Sequence, residues 1–176
     1  MPQWITPDPA GLNRQSLEHA AKTAIAATVA VLVSRLLRLP EAYWAAVTTM
    51  VVMQSTLGAA LSVSVLRFIG TALGALCGAV LAIALGPNLY VFGAGLFALG
   101  LLTAAAHLER SAFRFAGITL AIVMLVVRTN SPWIVALHRF AEISIGIIIG
   151  LLTVIVWPEG SSSLVSAPSP GATAKS

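Results

Sequence analysis

Three groups of residues in this 176-residue chain have types and spacings that could act on a solute. The first is Arg67, the single charge between Glu41 and Glu109. A guanidinium offers a carboxylate two parallel N–H donors, so Arg67 could attract an anion at a pore mouth; the blander role is an anchor to lipid headgroups. The second is Arg139 with Glu142, three apart and able to pair on one helix face. A carboxylate inside a membrane is usually compensated in this way and sometimes relays protons. The third is a stripe of Trp44, Thr48, Ser55 and Ser62 in a charge-free run. At about 100° per residue these fall on one helix face, with Gly58 beside them and Gln54 near the edge. Such a stripe could line a water-filled path, or its hydroxyls could bond their own backbone and hold neighbouring helices together.

Enzyme chemistry has no comparable footing. The sequence holds no G-x-S-x-G, no H-E-x-x-H and no P-loop, and His19, His107 and His138 are scattered. Cys77 stands alone in an apolar run, which assigns neither a disulfide nor a metal site. The expectation is therefore a non-enzyme without cofactor or metal.

The elements that must position these residues follow from composition. Apolar residues make up 58% of the chain and charged residues 9%, with a mean hydropathy of +0.94. A soluble domain is about a quarter charged, so most of this surface faces lipid. The net charge of +4 is dispersed as single residues at the ends of apolar runs, which argues for headgroup contact and against nucleic acid.

Charges and Pro/Gly breaks cut the chain into segments of about membrane-spanning length. The spacing predicts an all-α bundle of six spans: Ala20 to Leu39, Ala42 to Leu66, Phe68 to Leu85, Leu89 to Leu108, Ala112 to Val127, and Trp133 or Arg139 to Trp157. Gly86-Pro87-Asn88 separates the third and fourth. Residues 1–19 then form a polar N-terminal segment, which the resemblance given below implies is cytoplasmic, 20–158 the membrane module and 159–176 a Ser/Pro/Ala-rich disordered tail. Tyr43, Trp44, Tyr90, Trp133 and Trp157 fall at predicted span ends, where aromatic rings favour the interface. Cations divide five to four between the two sides, so the positive-inside rule gives no orientation.

Arg67-Phe68 followed by Gly74 and Gly78 recurs as Arg139-Phe140 followed by Gly146 and Gly150, an offset of 72 from 67 to 139 and from 78 to 150. Three spans separate the copies. An odd number inverts the second, as in many transporters, although glycine every four residues is also ordinary helix-packing sequence. Gly70, Gly74, Gly78, Gly146 and Gly150 are accordingly expected at close helix contacts, including those of an oligomer.

The stretch from Leu39 to Leu61, with Tyr43-Trp44-Ala45 at its entry and Gln54-Ser55-Thr56-Leu57-Gly58 at its end, is followed by Arg67-Phe68-Ile69-Gly70-Thr71-Ala72-Leu73-Gly74. Together these resemble the fusaric acid resistance and aromatic acid exporter family, and plant aluminium-activated malate transporters look similar over the same stretch. The resemblance implies a bacterial inner-membrane protein with a cytoplasmic N-terminus that exports organic anions, with Trp44, Gln54, Gly58, Arg67, Gly70 and Gly74 as the positions carried over. Larger members duplicate the module and add cytosolic domains. A lone bundle is therefore expected to act as a homodimer or with a sister chain; a non-transporting scaffold or accessory subunit is the competing expectation.

Overall fold

The computed structural model describes residues 14–53, 56–126 and 131–157, with side chains from residue 16. The described residues are all helical: α1 (Arg14–Leu36), α2 (Tyr43–Val52), α3 (Leu57–Ala84), α4 (Leu89–Ala105), α5 (Arg110–Leu125) and α6 (Pro132–Val156). The chain is a polytopic membrane protein. Large apolar side chains such as Val65, Leu76, Ile83, Phe97 and Ile148 point outward, while Ala30, Ala45, Ala60, Thr48, Thr71 and Glu142 are enclosed. Lipid exerts no hydrophobic drive between helices, so small and polar residues make the contacts.

Three helices are long and apolar enough to cross a bilayer: Ser16–Leu36, Leu57–Ala84 and Pro132–Val156. The others are shorter. At 1.5 Å per residue, the 10 residues of α2 reach about 15 Å, half of a hydrocarbon core of about 30 Å. The second predicted span is thus two elements. The backbone leaves the helical region at Met53, and Thr56, in extended conformation, opens α3 by accepting the Ala59 N–H on Oγ1. From there α3 runs unbroken for 28 residues, so Arg67 is its eleventh residue and not the turn of a hairpin.

The six helices form an inverted repeat. Helix α3 packs on α5 as α6 packs on α2; α1 packs on α2 and α6 as α4 packs on α5 and α3. A Cβ at Gly74 would meet the Ala116 carbonyl, and one at Gly146 the Ala45 carbonyl. Likewise a Cβ at Gly78 would lie 3.0 Å from Val123 Cβ, and one at Gly150 would lie 3.1 Å from Val52 Cβ. The offset of 72 between α3 and α6 is therefore matched by one of 71 between α2 and α5, as from 45 to 116 and from 52 to 123. Ala75 and Ala79 cluster with Val135 and Ala136, and Ala60 with Ile143 and Ile147, so α3 and α6 run antiparallel. Phe68 and Phe140, related by the same offset, meet at 4.9 Å between centroids, on the pseudo-two-fold axis.

Both repeats also turn alike. Helix α1 ends with Arg38 in the left-handed region (φ 55°) and the Leu39 N–H donating to the Ser34 carbonyl at 3.0 Å. Helix α4 ends with His107 at φ 52° and the Leu108 N–H donating to Thr103 at 3.0 Å. This is the Schellman closure, made here without glycine. The first turn leads to Glu41, whose N–H donates to Glu142 Oε1, at 2.9 Å, on the eleventh of the 25 residues of α6. The second leads to Ala112, packed on Gly70, at the middle of α3. Each hairpin therefore turns beside the middle of a long helix.

Candidate functional site

The sequence-predicted residues converge around the first two turns of α2. Thr48 is fully buried and accepts from Arg67 Nε at 3.2 Å and from Nη2 at 3.0 Å. One turn earlier Trp44 lies under the other guanidinium, with Arg139 Cζ 4.9 Å from a ring centroid. Trp44 is thus not an interfacial belt residue. Its ring faces Arg139 and its Nε1 donates to Glu41 Oε2 at 3.1 Å, because α2 begins beside the middle of α6.

Arg139 is held by two carboxylates. Nη1 donates to Glu142 Oε2 at 3.0 Å, the predicted i,i+3 pair, and Nη2 forms an ion pair with Glu41 Oε2. Tyr43 donates its hydroxyl to the same Glu41 oxygen at 2.7 Å. Glu142 is completely buried, and the N–H of Glu41 engages its second oxygen. A buried charge is tolerated only with such dense compensation.

Arg67 has the same frame and different neighbours. Its Cζ lies 4.9 Å from the centroid of Phe115, the residue 71 positions beyond Trp44. It is 5% exposed, and among the described residues no carboxylate lies within ion-pair distance. Its Nη1 makes no hydrogen bond among them. Three positions earlier, on the same face of α3, Ser64 Oγ is enclosed without a partner. A guanidinium edge and an unpartnered hydroxyl share one helix face with no acid within ion-pair distance of the arginine among the described residues, which is a donor set suited to an anion.

The rest of the predicted stripe disperses. Ser62 is exposed and Gly58 sits in the first turn of α3 with open space beside it, because the break before Thr56 rotates α3 out of register with α2. Gln54 and Ser55 lie outside the described residues. The five predicted packing glycines do bring helices together, but inside one chain: Gly70, Gly74 and Gly78 against α5, Gly146 and Gly150 against α2. Their close faces are therefore already occupied within the chain. Glu41, Ser64 and Phe115 escaped sequence reasoning. The offset of 72 read in the sequence carries Trp44 to Ala116, and only the offset of 71 that the packing of α2 and α5 shows carries it to Phe115; Glu41 lies 101 residues from Glu142, and no local pattern links them.

Comparison with known proteins fits this architecture. The chain is 31% identical over 154 residues to the uncharacterized transporter YdhK of Escherichia coli K12, a match covering 82% of this chain and 23% of that protein. It is 30% identical over 153 residues to the protein of the same name from Salmonella typhimurium, covering 81% and 22%. The chain thus spans less than a quarter of the length of the curated relatives it matches. No solved structure matches it. The model of the fusaric acid resistance protein family matches residues 16–172, from the start of α1 to beyond α6. The chain, whose described residues form six helices in two inverted halves with Arg67 and Arg139 each set on an aromatic ring, belongs to the fusaric acid resistance protein family.

Proposed function

We propose that the chain is the membrane module of a transporter that exports organic carboxylate anions, aromatic ones among them, across a bacterial inner membrane. One observation carries the reading: a buried guanidinium in the middle of a long helix, stacked on Phe115 and without a carboxylate partner among the described residues. Charge at membrane depth is costly and marks solute paths. The inverted repeat supports alternating access, since transporters of that plan place their site where the repeats meet. Arg67 of the first repeat stacks on Phe115 of the second at such a meeting. The module works as a homodimer or with a sister chain, because six helices are few for a complete conduit.

The experiment is flux of benzoate and malate in liposomes containing the purified protein. Wild type carries anion, Arg67→Lys inserts normally yet loses most of the flux, and Arg67→Ala loses nearly all. A point charge cannot reproduce the two parallel donors of a guanidinium. Wild-type rates in both variants would make Arg67 a packing residue with no part in transport, and no flux at all would leave a scaffold.

A further inference from the structure

We infer that the Arg67 niche is an anion seat built on the plan of the Arg139 niche, in which a solute carboxylate takes the role that Glu41 and Glu142 play at Arg139. The inference rests on the organic-anion reading above and adds to it the place and the donors.

The two niches are counterparts. Arg67 and Arg139 differ by the α3 to α6 offset, Phe115 and Trp44 by the α2 to α5 offset, and each guanidinium lies 4.9 Å from its ring. Applying the same offsets to the acids gives Gly70 for Glu142 and Ala112 for Glu41. One niche carries its own carboxylates, and the other has neither at the corresponding positions. Nor can α5 supply a substitute from its first turn, since a Cβ at Gly70 would run into the Ala112 carbonyl and Phe115 Cβ. That side of Arg67 is closed by backbone.

On its polar side Arg67 faces α2, through Thr48. Helices α2 and α3 make little contact with each other although Thr48 and Arg67 bridge them. Beside this bridge Arg67 Nη1 carries no hydrogen bond among the described residues, and the Ser64 hydroxyl, three positions earlier on the same face of α3, is enclosed and unpartnered. Thr48 supplies one oxygen shared by two guanidinium nitrogens, which leaves the niche rich in donors and without negative charge. A carboxylate satisfies it: one oxygen on Arg67, one on Ser64. The buried guanidinium then gains the counter-charge that Arg139 already has. Glu41 and Glu142 act as a permanent internal solute in the sister seat.

Equilibrium binding of radiolabelled benzoate and acetate to the purified protein in nanodiscs tests this. Wild type binds one carboxylate per chain. Arg67→Lys weakens binding about tenfold or more, and Ser64→Ala about three- to tenfold without moving the thermal unfolding midpoint. Ser34→Ala, which removes another enclosed hydroxyl on α1, leaves affinity unchanged. If Arg67→Lys fails to assemble, the Ser64 and Ser34 pair decides alone. Equal affinities in wild type and Ser64→Ala, equal losses in Ser64→Ala and Ser34→Ala, or no binding of either probe overturns the seat. Ser64-dependent binding without flux refutes transport and keeps the seat; flux with binding indifferent to Ser64 and Arg67 keeps transport and refutes the seat.

Discussion

The niches at Arg67 and Arg139 share a backbone frame and differ most in their acids. Both guanidiniums stack on an aromatic ring from the other repeat, and both long helices receive a short helix on a glycine seam. At Arg139 the counter-charge is covalently part of the chain; at Arg67 the corresponding positions are Gly70 and Ala112. Geometry is therefore what the repeat preserves, and charge is what distinguishes its halves. One niche is suited to stability and the other to exchange.

The largest break in that comparison comes from the carboxylates. Glu142→Ala strands Arg139 on its inner side and removes the acceptor of the Glu41 N–H, so it costs about 3–5 kcal/mol, the range for breaking a buried ion pair from one side. Arg67→Ala strands no acid among the described residues and costs less. Unfolding of the two variants by guanidinium or heat in the same detergent checks this, and equal losses would abolish the distinction between the niches.

A smaller effect sharpens the symmetry itself. Gly74→Leu separates α3 from α5, and Gly146→Leu separates α6 from α2, each by driving a side chain into a carbonyl of the facing helix. Overpacking of this kind costs about 1–3 kcal/mol or more. The two variants should lose stability to a similar extent while leaving the oligomeric state unchanged, since both seams are internal. Dissociation measured by light scattering in either variant would reassign that seam to an interface.

The smallest effect is at the turns. Arg38 and His107 hold left-handed backbone that glycine adopts freely, and both lie where a Schellman closure calls for it. Arg38→Gly and His107→Gly each stabilise by under about 1 kcal/mol, since relief of the αL cost is partly offset by a looser unfolded chain. Thermal midpoints that fall in one variant and rise in the other would mean that the side chain at one turn matters more than its backbone.

Much of this was legible in the sequence. The Gly86 turn, the closing of α1 after Leu36, the Arg139–Glu142 pair and the Arg-Phe-Gly-Gly repeat rest on local spacing, and local spacing survives folding. The break after Val52 did not stand out, because the apolar run from Ala42 to Leu66 holds no charge and no proline, and the helix is restarted by the modest cap of Thr56. That break moved Arg67 from a presumed membrane boundary to the interior of α3 and scattered the polar stripe. The partnership of Glu41 with Arg139 was illegible for another reason: it is made across the two repeats, where no helical period reaches.

The crossing of the repeats also fixes an order of events during synthesis. Helix α2 is made early, but its packing face belongs to α6, and Glu41 and Glu142 are separated by 101 residues. At about 5–20 residues per second, Glu41 waits on the order of 5–20 seconds for that partner. Until then α2 is a half-length helix carrying two threonines that α6 and α3 will bury and an adjacent acid that has not yet met Arg139. The first repeat cannot reach its final packing as a domain ahead of the second. The ribosome delivers the halves in sequence, and the membrane receives them as one folding unit that closes only when α6 arrives.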